Sequence, residues 1–462
     1  MLRPLIQRPQ RSATRRPHER GVTIALVALA MVGIIAMAAL SIDVGTLYQA
    51  SADAQKSADA AALAGARVLS LSGITGDPKN SSGNWSAACA SATQIATTVA
   101  NQNNVGGKAP SKVTVTFLSS DKSDCGSSGG SAFGINPMVK VQVVQASLPT
   151  YFSRIWGRTA GSVSASATAE VFNPSNSDSE TASKEVVPVQ PRCVKPMIVP
   201  NLDPGNPGNG FVKNSDGSIL NPGIGTGVIG ETINLVPDCN SSGACNSSTP
   251  PFVNPPAVVL PNNLQYVPAL SPATSVAVPS CAIGADAYQQ AVAGCDQSTA
   301  YQCGVPNATA SNPNLVDLNE NPGIATGDTS TAVECLIHQA TKGSVTGQDT
   351  LNPTVYPYQI IAGTGNPLNV SGVITSSNSI VSIPIYDGNG TTPLTPNGLN
   401  QAPVTIVGFL QVFINQINSG AIDGSLQVTV LNVAGCGNGT NAVSPNALTG
   451  TSPVPVRLIT PP

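Results

Sequence analysis

The chain has 462 residues, 44 of them glycine and 39 proline, with only 10% charged and 4% aromatic side chains. That length allows two or three domains, and that composition points to strands joined by polar loops, not to a helical enzyme. The net charge of −3 conceals six arginines in the first 20 residues; the remainder carries 15 basic against 23 acidic residues, which excludes a nucleic-acid partner, because phosphate binding needs clustered positive charge.

Residues 1–20 form a basic arm holding Arg3, Arg8, Arg11, Arg15, Arg16 and Arg20. From Val22 to Ile42 the run VTIALVALAMVGIIAMAALSI has no charge over 21 residues. At about 1.5 Å per residue it reaches across a hydrocarbon core of roughly 30 Å. A transmembrane helix is assigned to 21–42, with the arginines on the cytoplasmic side and the bulk of the chain outside. A cleaved signal peptide is the competing reading, since Ala36-Met37-Ala38 offers a cleavage site. The run exceeds the roughly 7–15 residues of a signal core, which favours a retained single-pass anchor in the bilayer.

The stretch SADAQKSADAAALAGA (51–66) is half alanine, a strong helix former with little bulk to bury. Leu47, Ala50, Ala54, Ala58, Ala61, Gly65 and Val68 recur at spacings of three and four and define one helical face. Gln49, Ser51, Asp53, Gln55, Lys56 and Asp59 fall off it. Such a small-residue seam lets another backbone approach closely. Two occupants stay open: a partner helix, or the protein's own sheet.

Pro78 and the SSGN run end that region, and SAACASATQIATTVANQN (86–103) reads as a second helix. Strand signals follow at 113–117, 139–146 and 162–172. PTYFSRIWG (149–157) reads as a short amphipathic helix between Pro149 and Gly157. NPSNSDSETASKE (173–185) is linker chemistry. Beyond it, strands are expected at 380–387, 404–417 and 426–433, and a helix at 331–340. The middle, roughly 200–330, is turn chemistry with no assignable fold.

All ten cysteines (Cys89, Cys125, Cys193, Cys239, Cys245, Cys281, Cys295, Cys303, Cys335 and Cys436) follow the apolar run. An even number on the exported side predicts disulfides, most of all in the loop-rich stretch 193–436. No C-x-x-C and only two histidines argue against zinc and thioredoxin-like chemistry. Gly225-Thr-Gly-Val-Ile-Gly230 matches G-x-G-x-x-G, but it lies among loop residues and lacks a strand before and a helix after. Asp387 and Asn389 in YDGNGT read as a turn sooner than a calcium loop. His338, with Glu334 one turn before it, has no second histidine nearby and reads as a packed or surface side chain. No catalytic, cofactor-binding or metal-binding residue is assigned.

The region RGVTIALVALAMVGIIAMAALSIDVGTLYQASADAQKSADAAALAGA (20–66) resembles the N-terminal region of TadG-like proteins of the Tad, or tight adherence, Flp pilus system. The residues that carry the resemblance are Arg20 and Gly21, then Asp43, Gly45 and Tyr48, then Asp59 within the alanine-rich run. Residues 139–171 are similar to the strand-helix-strand segment that follows in such proteins. The fifth residue after Gly21 is Leu26, where a prepilin processing site has glutamate, and Asp-x-Ser-x-Ser is absent. The resemblance implies a single-pass inner-membrane protein facing the periplasm. Its partners would be other pilus-assembly membrane proteins and minor pilins. The alternative function is a surface adhesin or matrix-binding protein.

The expected fold is α+β. A basic arm (1–20) and membrane helix (21–42) lead into an Ala-rich helix with a small α+β module (43–172). A linker (173–190) then joins a Cys-, Pro- and Asn-rich, β-rich, disulfide-containing distal domain (191–462).

Overall fold

Glu19 to Leu71 form one unbroken helix, α1, of 53 residues, roughly 80 Å long at the standard rise. Most of its first half stands clear of the other described residues: Ile24 is 71% and Met37 67% exposed. Its second half is built into a core. The computed structural model describes residues 19–76, 82–118, 125, 136–157, 160–173, 175, 191, 193–215, 217–237, 262–270, 283–284, 286–295, 301, 314–319, 328–340, 345–388, 394–395, 397–399, 401–418, 423–436 and 452–460.

After α1 the described elements follow in order: α2 (Ser82–Gln102), β1 (Lys112–Leu118), β2 (Met138–Pro149), β3 (Ala160–Val171), β4 (Met197–Pro200), β5 (Thr232–Pro237) and β6 (Asn263–Pro268). Then come α3 (Ala287–Ala293), β7 (Leu315–Asp317), α4 (Asp328–Ile337), β8 (Thr350–Asn352), β9 (Gln359–Ile361), β10 (Val373–Ile374), β11 (Ile380–Tyr386), β12 (Gln401–Pro403), β13 (Ile406–Ile417), β14 (Leu426–Gly435) and β15 (Val456–Ile459).

The proximal module lays α1 and α2 on one face of an antiparallel sheet of order β1-β2-β3-β15. Strand β2 alternates as a half-buried strand should, turning Val139, Val141 and Val143 inward, all fully buried. Strand β3 presents Ala165, Ala167 and Ala169 to the same core. Such short side chains let α1 sit close to the sheet, and Leu47 packs over Gly161. Trp85 of α2 meets Phe117 of β1 edge to face at 5.4 Å, and Cys89 is bridged to Cys125.

The distal module is a closed barrel, β11-β13-β14-β5-β6-β4. Its β5–β6 and β11–β4 pairs are parallel and the others antiparallel. Strand β13 is apolar on both faces because both are covered. Leu410, Val412 and Ile414 point into the barrel core, while Phe409 and Phe413 fill outer clusters. Helices α3 and α4 pack against each other at this module. Asp286 caps α3 through the Tyr288 N–H. Tyr266 donates to the Gly424 carbonyl at 2.9 Å, and Tyr288 and Thr329 share a hydrogen bond at 3.1 Å.

Three features differ from the sequence reading. The segment 149–157 is not an amphipathic helix: β2 runs through Pro149, and only Ser153–Trp156 winds into a 3₁₀ turn, ended by Gly157 at φ 80°. The unassigned middle supplies two barrel strands, β5 and β6, together with α3 and β7. The proximal sheet takes its fourth strand, β15, from beyond the expected boundary at 172, so the two modules interlock. Buried Asn173 donates to Thr75 Oγ1 and the Val433 carbonyl, and Asn432 donates to the Ser70 carbonyl at 2.9 Å. Gly73 makes the turn out of α1 at φ +74°, where a Cβ would strike Ile229.

Disulfides are present in both modules. Beside Cys89–Cys125, Cys193 is bridged to Cys295, and Cys335 and Cys436 are also disulfide-bonded. Cys239, Cys245, Cys281 and Cys303 lie outside the described residues, as do the arginines of the arm before Arg20.

Candidate functional site

The alanine seam is a packed surface. Ala50, Ala54, Ala58 and Ala61 are at most 1% exposed, and Gly65 is buried; Leu47 and Val68 lie partly buried at the seam's ends. Its counterpart is a matching ladder on α2, where Ala88, Ala92, Ala96 and Ala100 are fully buried. Two alanine faces allow the close approach that small residues permit, and Ser57 Oγ crosses it to the Ala100 carbonyl at 3.2 Å. A Cβ on Gly65 would meet Ala96 Cβ at 3.2 Å and Val139 Cγ1 at 3.2 Å. Of the two occupants the spacing allows, the chain's own α2 and sheet take this face. The α2 ladder was readable from SAACASATQIATTVA by the same period of four.

The family-motif residues separate by surroundings. Asp43, one residue past the apolar run, is 4% exposed. Its carboxylate accepts the backbone N–H groups of Tyr151 (2.9 Å), Phe152 (3.1 Å) and Ser153 (2.7 Å). An acid here does what an N-cap does for a helix start, but from another element. Burial by itself would raise the Asp43 pKa; the N–H donors of Ser153, Tyr151 and Phe152 outweigh it and hold the group below its ordinary value. The turn Ser153–Trp156 lies against α1. On the same helical face Ala39 is buried, while Met37 and Leu40 beside it are exposed.

Gly45 has nothing within 4 Å of a Cβ position, and Tyr48 is 75% exposed. Asp59 accepts from Gln55 Nε2 at 2.7 Å. Arg20 and Gly21 lie in the first turns of α1. Sequence reasoning missed the loop 150–153 as the partner of Asp43, because its backbone donors carry no side-chain signature.

Residues 21–68 match the family model Tad, "Putative Flp pilus-assembly TadE/G-like". The similarity is confined to this segment. No curated protein and no solved structure matches the chain. The matched segment coincides with the exposed apolar half of α1 and most of its packed alanine half. The whole helix from Val22 onward is long and apolar enough in its first part to cross a membrane.

Elsewhere the motifs resolve as structure. Gly225–Gly230 is a tight loop whose Gly225 N–H bonds the Ile229 carbonyl, and strand β5 follows it in place of a helix. Asp387 pairs through its backbone with Thr405, and Asn389 lies outside the described residues. His338 follows α4 with Nε2 3.0 Å from Asn378 Nδ2. Among the described residues no group of three or more His, Cys, Asp or Glu is placed to hold a metal.

Two buried ionisable groups stand out in the distal module. Burial lowers Lys195 to about 7, and its Nζ donates to the Gly294 carbonyl at 2.5 Å. Burial and then the Asp203 carboxylate raise Glu231 to about 7. A groove between β8 and the ends of β13 and β14 is lined without charge by residues including Thr232, Gln348, Thr350, Asn415, Gln427 and Thr429. Both amide atoms of Gln348 are buried there without a hydrogen-bond partner.

Proposed function

We propose that this protein is a membrane-anchored, non-enzymatic component of Flp/Tad pilus assembly that acts through protein–protein contacts. The Tad match over residues 21–68 carries the reading. The exposed apolar half of α1 supports an anchor at Val22–Ile42, with the arginine-rich arm in the cytoplasm and both modules in the periplasm. Disulfides in both modules agree with an oxidising compartment. Its partners are other pilus-assembly membrane proteins and minor pilins. The alanine seam is spent on internal packing, so those contacts fall on other surfaces.

Deletion of the gene should abolish piliation, and the tagged full-length protein should fractionate with the inner membrane. Intact mass tests the anchor: a species starting at Ala39 would mean a cleaved signal, and one starting at Val22 a prepilin-type cleavage. The second reading, a surface adhesin or matrix-binding protein, is favoured by the groove around Gln348, whose unpaired amide suits an uncharged hydrogen-bonding ligand. Recovery of the protein from sheared pili or the cell surface would select it.

A further inference from the structure

The turn held by Asp43 is placed unusually for a periplasmic loop. Asp43 directly follows the apolar run, so donors at Tyr151, Phe152 and Ser153 lie at the level where that run ends. Burial of Ala39 on the same face carries the covered zone about 6 Å further toward the N-terminus, given 1.5 Å per residue, into the apolar run itself. Tyr151 is 59% exposed, and Arg154 is exposed. Tyr48 lies five residues past Asp43, about 7.5 Å higher and roughly 140° around the helix. Two exposed tyrosines thus flank α1 within the depth of a headgroup layer, where amphipathic rings are favoured. A bare carboxylate at that depth is costly; three N–H donors satisfy it.

We propose that the turn at Tyr151–Trp156 is a foot resting in the phospholipid headgroup layer of the membrane that α1 crosses. Tyr151 lies at the boundary between headgroups and acyl chains, Tyr48 lies higher within the headgroup layer, and Arg154 faces lipid phosphate. Clamping the foot to α1 through Asp43 sets the height and lean of the proximal module over the bilayer. The inference rests on Val22–Ile42 spanning the membrane, and its test separates the two.

The full-length protein, with Trp156→Phe as background, is reconstituted into phosphatidylethanolamine/phosphatidylglycerol vesicles. Three variants each receive one reporter: Ile34→Trp, Tyr151→Trp and Gln55→Trp. Trp85, buried in the module, is a constant background. Lipids brominated near the headgroup end or near the methyl end of the acyl chain serve as quenchers. Ile34→Trp should be quenched most by the deep bromines, reporting the span. Tyr151→Trp should be quenched by the shallow ones at least about twofold more than Gln55→Trp, as an interfacial ring would be. Quenching at Ile34 with Tyr151 no different from Gln55 overturns the foot and leaves the span. Loss of quenching at Ile34 overturns the span and the foot with it.

Discussion

A single carboxylate, Asp43, ties the turn at 151–153 to the end of the apolar half of α1. Its folded pKa is depressed, so its stabilisation is fully present above the unfolded value and is lost as pH falls through the folded value. Amide resonances of Tyr151, Phe152 and Ser153 should therefore titrate together with a midpoint below 3.8, and Asp43→Asn should abolish that titration. Lys195 runs the other way. Its folded pKa of about 7 lies below its ordinary 10.5, so the unfolded chain binds the extra proton between those values. Stability should rise with pH across that window, and Lys195→Met should flatten the rise in denaturant midpoint. Asp43 was legible in the sequence as a lone acid ending an apolar run. Its role was not, because its partners lie 108 to 110 residues away and contribute only backbone.

Among the elements, α1 and α2 show what an alanine-rich helix gains from having no bulk. Neither buries much area per residue; the benefit is proximity, two backbones and a small-residue strand drawn together. Added volume has nowhere to go. Ala58→Leu should cost about 1–3 kcal/mol as an overpacked site, read as a fall in Tm and in protein level. Gln55→Leu, on the exposed face, should stay within about 0.5 kcal/mol. A normal protein level with lost piliation in Ala58→Leu would instead implicate a partner at this face. The period of three and four from Leu47 to Gly65 revealed the face, and the β-branched runs revealed β1, β2, β11 and β14. Hidden were the 3₁₀ turn, decided by a contact with α1, and strands β4 to β7, which are three to six residues long and set among prolines and asparagines that read as turns.

Across the whole molecule, the two modules cannot be separated at the linker. Buried Glu170 of β3 accepts from Arg457 Nη2 of β15 at 3.0 Å, and the guanidinium lies 5.3 Å over the Phe172 ring. Asn136 donates to the other carboxylate oxygen at 3.3 Å. Arg457→Leu leaves a buried carboxylate without its cation and should cost about 3–5 kcal/mol. Protease nicking of the proximal sheet, compared before and after the substitution, would register the loss. No local pattern announces this pairing, since Val456 and Val171 are register partners 285 residues apart.

That pairing also sets an order of events in time. The ribosome makes β15 after every other described strand, yet β15 is the strand that covers β3 in the sheet begun by β1, β2 and β3. Until it arrives, β3 offers an open edge, the kind of surface that recruits strands from neighbouring chains. Closing so long a loop is slow, so that edge is covered only after the distal module has been made. A product that stops short of Val456 keeps that edge exposed, and limited proteolysis should cut it at β3 sooner than it cuts the full chain.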